Sequence, residues 1–295
     1  CCKHSAKLSQ GAPLRQPIEL NRLQARCSGT RWQQAEPSAT PAWTLEGFCR
    51  KVGGLCELFY TRLPGASVNG QQMISFQGRH HRQDIILQCV RWYIAYSLSY
   101  RDLEELMQER GYEVDHSTIQ RWVVYYAPRI EKAFRKSKKR AGHRWRLDET
   151  YIRVKGQWKY LYRAVDKQGN TVDFLLTDKR DKKAALRFLK KAIGTNGKPS
   201  LINIDKSGAN KASIKQYNVD ENKRVKIRQC KYLNNIIEQD HRFIKRITRS
   251  MLGFKSFRSA QATLAGIELW RMLKKGQNRS SLRAWEQFYA VALTG

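Results

Sequence analysis

The chain lacks the features of a membrane or secreted protein. Its 295 residues contain no apolar run long enough to cross a bilayer, and its first residues lack the charged start and apolar stretch of a secretory signal. None of the seven cysteines forms a C-x-x-C pair, and five lie within the first 56 residues. This distribution argues against a structural zinc site or a disulfide framework. We therefore expect free thiols and a cytoplasmic location.

Acidic residues are scarce relative to basic ones. The sequence has 56 Lys and Arg against 25 Asp and Glu, a formal charge of +31. Self-repulsion of that size destabilises a compact chain, and a polyanionic partner relieves it. Nucleic acid is the leading candidate, because neutralised phosphates release condensed counterions. Docking on an anionic membrane is less favoured, because no single amphipathic basic helix is present. RNA binding is the other alternative, but no RNA-binding signature is found.

The first 72 residues differ from the rest of the chain. They hold five of the seven prolines, no methionine and few periodic apolar residues, whereas Met73 is followed by globular patterning. We predict that they form a leader of upstream sequence with no ordered core or catalytic role; a small accessory domain is the alternative. The predicted divisions are a leader at 1–72, a helix-turn-helix segment at 73–128, a basic linker at 129–143, a catalytic core at 144–280 and a tail at 281–295.

Three helices are predicted after the leader. Apolar residues recur at helical spacing from Asp84 and predict the first helix. Ser99 has the side chain to cap the second helix, which Gly111 ends. The third has Ser117 in capping-box spacing and is predicted to stop before Pro128. This arrangement is typical of a helix-turn-helix DNA-binding unit.

In such a unit the outward face of the third helix enters the major groove, where Gln and Arg can contact base edges. The residues predicted on that face are Thr118, Gln120, Arg121 and Tyr125. Ordinary packing of three helices is the alternative. The stretch 129–140 has seven basic residues and one acidic residue, which favours DNA binding. Within it we predict phosphate contacts by Lys136, Lys138 and Lys139.

The pattern then changes to that of a mixed sheet. Strands are predicted at 145–154, 158–165, 171–176, 201–204 and 225–227. A helix at 181–193 follows the third strand, and a long helical region runs from about 234 toward 275 with a break near Gly253. Three antiparallel strands, a helix, two more strands and closing helices predict an α/β fold of the ribonuclease-H type, as in retroviral integrase cores.

Three carboxylates stand where this fold would bring them together. Asp148 lies in the first strand, Asp205 ends the fourth, and Glu238 lies in the following helix. Phosphodiester chemistry without a covalent intermediate is served by two divalent ions, which such carboxylates hold. Each carboxylate alone is more commonly a surface group; the combination favours a metal site. Glu149 and Asp240 are neighbouring competitors.

Lys245 follows Glu238 by seven residues and therefore lies on nearly the same helix face. We predict that its ammonium contacts the DNA phosphate beside the metals. His241 and Arg242 share that face; an intrahelical pair with Glu238 is the alternative role for either of them.

Ordered motifs extend over nearly all of the chain after the leader. They are FQGRH at 76–80, VDHSTI at 114–119, DETY at 148–151, YLYRAVD at 160–166, DK at 205–206, NNIIEQDH at 234–241, LGFKSF at 252–257, GIE at 266–268 and KGQ at 275–277. With these motifs the sequence resembles the bacterial insertion-sequence-six transposases.

The resemblance implies a DDE transposase that binds the terminal inverted repeats of its element, cleaves there with Mg²⁺ or Mn²⁺, and joins the ends to target DNA, forming cointegrates. It assigns the triad to Asp148, Asp205 and Glu238 and the basic helix position to Lys245. It also implies a homo-oligomer on DNA, in the bacterial cytoplasm and at the nucleoid. The alternative is a non-catalytic helix-turn-helix regulator or an inactive remnant, which would bind DNA equally with or without magnesium.

Overall fold

The computed structural model describes residues 74–205, 208–230 and 232–294. The predicted leader at 1–72 lies outside these residues. Three helices come first: α1 (Gln83–Ala95), α2 (Tyr100–Gln108) and α3 (His116–Ser137). The later elements are β1 (Arg144–Val154), β2 (Gln157–Asp166), β3 (Thr171–Thr177), α4 (Lys182–Asn196), β4 (Leu201–Ile204), α5 (Gly208–Asp220), β5 (Lys226–Gln229), α6 (Asn235–Ser250), α7 (Phe257–Lys274) and α8 (Ala284–Thr294). A short 3₁₀ turn, Tyr232–Asn234, precedes α6. No helix in the described ranges is long and apolar enough to span a membrane.

The five strands form one mixed sheet in the order β3-β2-β1-β4-β5. β1, β2 and β3 pair antiparallel, whereas β4 runs parallel to β1 and β5 parallel to β4. The β1–β2 hairpin turns on Lys155 and Gly156, which both have positive φ, as a two-residue turn matched to strand twist requires. This strand order and pairing confirm the predicted ribonuclease-H-like fold.

Both faces of the sheet are covered, and successive side chains along each strand point to opposite faces. On one face Leu147 and Tyr162 pack with Phe188 of α4 and Ile214 of α5. On the other face Ile152, Val154 and Leu161 belong to a second core that includes residues of α6 and α7. The side chains at 146, 148, 150 and 152 therefore face α6, and those at 147 and 149 face α4 and α5.

The second core also contains residues from α1, α2 and α3. At Gly266 of α7, an added Cβ would lie 2.6 Å from Ile94 Cγ2 and 3.0 Å from Ala127 Cβ. Glycine is thus required where α7 approaches α1 and α3. The three N-terminal helices consequently share one apolar core with α7 and one face of the sheet.

The predicted end of the third helix before Pro128 is wrong. The helix continues through Pro128 to Ser137, so residues 129–137 are helical and not a linker. An internal proline costs about 3 kcal/mol, but Ile130 and Phe134 are fully buried beyond it and favour continuation. The N-cap is also different from the prediction: Asp115, not Ser117, accepts the first free amides. The predicted cap of α2 by Ser99 is confirmed, with a complete capping box.

Two helices were not predicted from the sequence. Helix α5 lies between β4 and β5, where no element was expected. Helix α8 occupies the predicted tail at 281–295, and its Phe288 is fully buried in the core. The break between α6 and α7 falls at the predicted Gly253, whose φ is +89°. Phe254 beside it forms a bridge with Val154 at the open edge of β1.

A buried ion cluster fixes α6 and α7 on the sheet. Arg163 of β2 is fully buried and donates to both carboxylate oxygens of Glu268 in α7, at 2.5 and 2.9 Å. The same guanidinium donates to Asp240 of α6 at 3.2 Å. Asp240 also accepts from Arg271 and from Lys275. Three cations therefore compensate the charge of the Asp240 carboxylate. Because these buried charges are costly to separate, the cluster fixes the positions of α6, α7 and β2 relative to one another.

Glu268→Ala should destabilise the protein by on the order of 3–5 kcal/mol, because it leaves the guanidinium of Arg163 buried with one acidic partner fewer. The free energy of unfolding in urea measures this loss. Asp178→Ala, which removes an exposed carboxylate from its pair with the half-buried Lys159, is the control and should cost less than about 1 kcal/mol. Equal small effects for both variants would show that the cluster does not hold the fold together.

Candidate active site

Asp148 lies in the middle of β1, with its side chain on the face toward α6. It stands opposite Arg163 of β2 in the antiparallel register. The next residue, Glu149, points to the other face, where it forms an ion pair with Arg180 and accepts from Asn210 Nδ2 at 2.9 Å. The strand alternation therefore separates the two adjacent acids, and only Asp148 faces the side on which Glu238 lies.

Asp205 follows the last residue of β4. The parallel register pairs Arg146 of β1 with Asn203 of β4, so two residues further on Asp148 and Asp205 come level on neighbouring chains and on the same side. The negative charge of Asp205 acts on Asp148. The structure thus brings together the two aspartates that the sequence predicts.

Glu238 lies in the first turn of α6. The start of this helix is tied to the sheet by two hydrogen bonds. Asn203 Nδ2 donates to Asn234 Oδ1 at 2.6 Å, and Arg146 Nε donates to the Leu233 carbonyl at 2.6 Å. Both donors come from the strands that carry or precede the aspartates. As a result Glu238 is held close enough for its charge to act on Asp148.

The carboxyl of Asp148 is less acidic than an ordinary aspartate. Burial, and after it the negative charges of Glu149, Asp205 and Glu238, raise the pKa of this carboxyl to about 7. A divalent cation between the carboxylates would remove this repulsion, and carboxylates are the ligands that Mg²⁺ uses. The residues therefore fit a metal site.

The ligand atoms of the three carboxylates do not all lie within 4.8 Å of one another. In the described part of the chain, the one group of three acidic or histidine residues with all ligand atoms within 4.8 Å is Glu104, Asp115 and His116. Asp115 in that group caps α3. The wider spacing of Asp148, Asp205 and Glu238 is compatible with residues that would hold more than one divalent ion, which would supply charge neutralisation at a phosphate.

His241 of α6 faces Asp148 across the interface between the helix and the sheet. Its Nδ1 lies 3.8 Å from Asp148 Oδ2, and the ring is 7% exposed. Burial lowers the pKa of His241 to about 3, and the positive charges of Arg163 and Lys245 act in the same direction. The imidazole is therefore neutral and is not an ion-pair partner of the carboxylate.

Lys245 is exposed on α6, two turns beyond Glu238. Its charge acts on His241, so its ammonium lies on the side of the helix that carries the carboxylate. Arg242, the alternative partner of Glu238, is exposed and forms no ion pair among the residues described. The predicted basic position thus faces solvent beside the three carboxylates.

The four residues predicted to contact DNA bases are brought together on one surface. Thr118, Gln120, Arg121 and Tyr125 line a cleft of about 680 Å³. Three further cationic residues line the same cleft: Arg79, Arg129 and Arg258. The guanidinium of Arg129 lies 3.5 Å from the centre of the Tyr125 ring. The cleft is basic and open to solvent, as a groove-binding surface has to be.

Lys138 is a correction to the predicted phosphate contacts. Lys136 and Lys139 are exposed, and Lys139 Nζ donates to the Gly276 carbonyl at 3.1 Å at the surface. Lys138 differs because it is only 9% exposed and its Nζ donates to the Val172 carbonyl at 2.6 Å in the interior. Burial lowers its pKa to about 8. A side chain already bound to a β3 carbonyl within the fold is not available to DNA, so Lys138 belongs to the packing of α3 against the sheet.

Several residues that position the site were missed by sequence reasoning. They are Asn203, Asn234, Arg163 and Glu268, each of which binds a partner distant in the chain. Asn234, Arg163 and Glu268 lie inside the ordered motifs, and this was the only sequence feature that could have indicated their role. Polar residues within otherwise buried strands and helices point to such internal contacts.

Comparison with known proteins gives the following relatives. The DDE domain family model matches residues 142–277. The chain is 42% identical over 216 residues to the transposase for insertion sequence-like element IS431mec of Staphylococcus aureus, covering 71% of this chain and 92% of that protein. It has the same identity and coverage with the transposase for insertion sequence element IS257 in transposon Tn4003, also from Staphylococcus aureus.

Among solved structures, the HTLV-2 integrase catalytic core domain in complex with magnesium is similar. Its TM-score is 0.38 with 18% identity, and the match covers 51% of this chain and 98% of that one. The fold assignment rests on the strand order and pairing of this sheet and not on that superposition.

Asp148→Asn should stabilise the metal-free protein at about pH 8. The folded protein binds a proton at Asp148 more tightly than the unfolded chain, because its pKa is about 7 and the ordinary value is 3.8. Stability therefore falls as the pH rises from about 4 to about 7. The gain from the amide is up to about 4 kcal/mol at about pH 8 and smaller at about pH 5.

The free energy of unfolding in urea, measured in a chelator, tests this expectation. Asp178→Asn is the control: this side chain is 63% exposed, and its substitution should have little effect at either pH. Added Mg²⁺ should stabilise the unmodified protein more than Asp148→Asn. A variant less stable than the unmodified protein at the higher pH would contradict the proposed repulsion.

Proposed function

This chain belongs to the insertion-sequence-six family of DDE transposases, and we propose that it cleaves DNA at the terminal inverted repeats of its element and joins the ends to target DNA. In this proposal Asp148, Asp205 and Glu238 are the catalytic triad and hold divalent metal, Mg²⁺ or Mn²⁺. The observation that carries it is the proximity of three carboxylates that come from β1, from the end of β4 and from α6, since the negative charges of Asp205 and Glu238 both act on Asp148.

Two bound divalent ions supply activation of the attacking oxygen and stabilisation of the leaving oxygen. The elements of the fold hold and orient the three carboxylates. Asp148 is fixed by β1, Asp205 by the end of β4 and Glu238 by the tied start of α6. His241 lies beside Asp148 and limits the orientations of its carboxylate. Because the imidazole is neutral, it does not compete with a cation for that carboxylate. Lys245 is proposed to contact the phosphate next to the scissile bond.

End recognition is assigned to the cleft along α3. Thr118, Gln120, Arg121 and Tyr125 contact base edges in this proposal, in the manner of a helix-turn-helix unit. Lys136 and Lys139 neutralise phosphates and are supported in this role by their exposure. The formal charge of +31 supports DNA as the partner. Joining two element ends calls for two active sites or for one used in turn, and we propose a homo-oligomer assembled on nucleoid DNA.

A non-catalytic regulator or an inactive remnant is not favoured. Three clustered carboxylates oppose the approach of a phosphate unless a cation sits between them. A protein that only binds DNA has no use for such a cluster. Cleavage that requires divalent metal separates the two functions, because a regulator binds DNA equally with and without magnesium and never nicks it.

Replacing Asp148, Asp205 or Glu238 by the matching amide should abolish cleavage and joining while folding and DNA binding persist. The amide keeps the size of the side chain but removes the charge that holds the ions. The measurement is cleavage and strand transfer on DNA that carries the element's ends, with and without Mg²⁺, beside a binding assay on the same DNA. Binding by the variants in chelator should be equal or tighter, because repulsion of phosphate is reduced.

Matched controls are Asp178→Asn and Glu221→Gln, since both side chains are exposed on the surface. They should keep wild-type activity. Asp166 and Asp240 are unsuitable controls because both are buried and hydrogen-bonded within the fold. A soluble Asp205→Asn protein that still joins element ends at the wild-type rate in magnesium would refute the triad.

Arg121→Ala and Gln120→Ala should reduce the preference for the terminal repeat over random DNA. The loss is roughly 1–3 kcal/mol for a residue that makes a bidentate base contact. Lys136→Ala and Lys139→Ala should instead weaken binding to both DNAs similarly and flatten its salt dependence. Competition binding at several salt concentrations distinguishes the two classes.

Lys138→Ala is the comparison for this set, because its ammonium is bound to a carbonyl inside the fold. It should lower stability without changing the salt dependence of DNA binding. Equal losses on both DNAs for Arg121→Ala would reassign that residue to phosphate contact.

A further inference from the structure

A second cleft lies at the open edge of β1. Strand β4 pairs with β1 only at residues 144–146, so the edge of β1 beyond Asp148 has no strand neighbour on that side. The cleft there has a volume of about 540 Å³ and is bounded by Tyr151 and Arg153 of β1, Trp158 of β2 and Lys245 and Arg249 of α6. Gly253 and Phe254 close one end.

This cleft lies further along the strand and the helix that carry two residues of the proposed triad. Tyr151 follows Asp148 by three strand residues, a distance of roughly 10 Å. Lys245 follows Glu238 by seven helical residues, again roughly 10 Å. Both elements therefore extend from the carboxylates to the cleft over the same distance. Because Tyr151 and Trp158 lie on the opposite face of the sheet from Asp148, the cleft passes around the open edge of β1. A DNA strand whose phosphate lies at the triad extends into this cleft if it runs along β1 and α6.

The cleft presents two aromatic rings to solvent. Trp158 is 61% exposed and Tyr151 is 45% exposed, and their ring centres are 6.3 Å apart at an interplanar angle of 78°. Large aromatic side chains ordinarily bury most of their surface. An exposed indole beside a second ring offers a flat apolar surface on which a nucleobase can stack.

The charged residues that line this cleft are all cationic. Arg153, Lys245 and Arg249 are exposed, and none of them forms an ion pair with an acidic side chain in the described part of the chain. An aromatic pair beside three uncompensated cations matches the chemistry of a nucleic acid strand, which alternates flat bases with phosphates. It does not match an apolar protein segment, which would leave these cations buried without partners.

We propose that this cleft binds an unpaired stretch of the DNA strand next to the scissile phosphate. One base stacks on Trp158, and the backbone phosphates contact Lys245 and Arg249. The base must be unpaired because, inside a duplex, neighbouring base pairs already cover both of its faces. The inference rests on the proposed function for its position beside the triad, and its test does not depend on catalysis.

The experiment compares the affinity of the full-length protein for a flush duplex and for the same duplex with a single-stranded extension, in a chelator so that no cleavage occurs. Fluorescence anisotropy of labelled DNA gives both dissociation constants. The unmodified protein should prefer the extended DNA. Trp158→Ala should reduce this preference by about 5- to 100-fold, whereas Trp158→Phe, which keeps a ring, should retain most of it.

Two further variants complete the test. Tyr112→Ala removes a ring that is 39% exposed outside the cleft and should leave the preference unchanged. Arg249→Ala should weaken binding of the extended DNA and reduce its salt dependence. The fluorescence of 2-aminopurine placed in the extension should be quenched by the unmodified protein and not by Trp158→Ala, which reports stacking directly.

An unchanged preference in Trp158→Ala would overturn the proposal, as would an equal loss for both DNAs. A change in oligomeric state without a change in preference would assign the cleft to contact between two copies of the chain. Failure of the triad variants to lose cleavage would refute the proposed function but would leave this binding result unaffected.

Discussion

The buried guanidinium of Arg163 is the constraint on which the candidate site depends. Removing this cation from water is costly unless acidic partners surround it, and those partners come from two helices, Glu268 of α7 and Asp240 of α6. Arg163 stands opposite Asp148 in the β1–β2 register. The contact that compensates the arginine therefore also sets α6 against β1 at the level of Asp148. Any shift of α6 that separates Glu238 from Asp148 also disturbs a charge pair in the interior.

The distribution of acidic residues explains how a chain of charge +31 keeps a defined fold. Several of its few acids are buried beside cations: Asp173 pairs with Arg135 and Lys191, and Asp240 pairs with Arg163. Others form the proposed triad. The surface is left with an excess of cations such as Lys136 and Arg249, which repel each other until a polyanion is bound. Buried pairs of acidic and basic residues therefore stabilise the fold, whereas the surface cations are available to bind DNA.

Local patterns predicted the sheet well because strand alternation and turn residues are local properties. The candidate carboxylates were found from local position too: Asp148 lies within a strand, Asp205 directly after one and Glu238 in the first turn of a helix. Contacts between distant residues were not predictable. Lys138 is one of several basic residues in a row, and only the approach of β3 buries it. Proline ends a helix in isolation, but the burial of Ile130 and Phe134 continues α3 past Pro128. Helix α5 has few apolar anchors, chiefly Ile214 and Tyr217, and so gave no clear period.

Helix α6 connects the proposed chemistry to the proposed strand cleft. One side of this helix carries the buried residues Ile237, Asp240, Ile244 and Ile247, which hold it on the sheet. Residues at helical spacing on its accessible side are Glu238, Lys245 and Arg249. Because the three share a rigid element, the distance from the carboxylate to the two cations is fixed before DNA arrives. A strand held by those cations is therefore delivered to the triad in one register, and no loop needs to be ordered to achieve it.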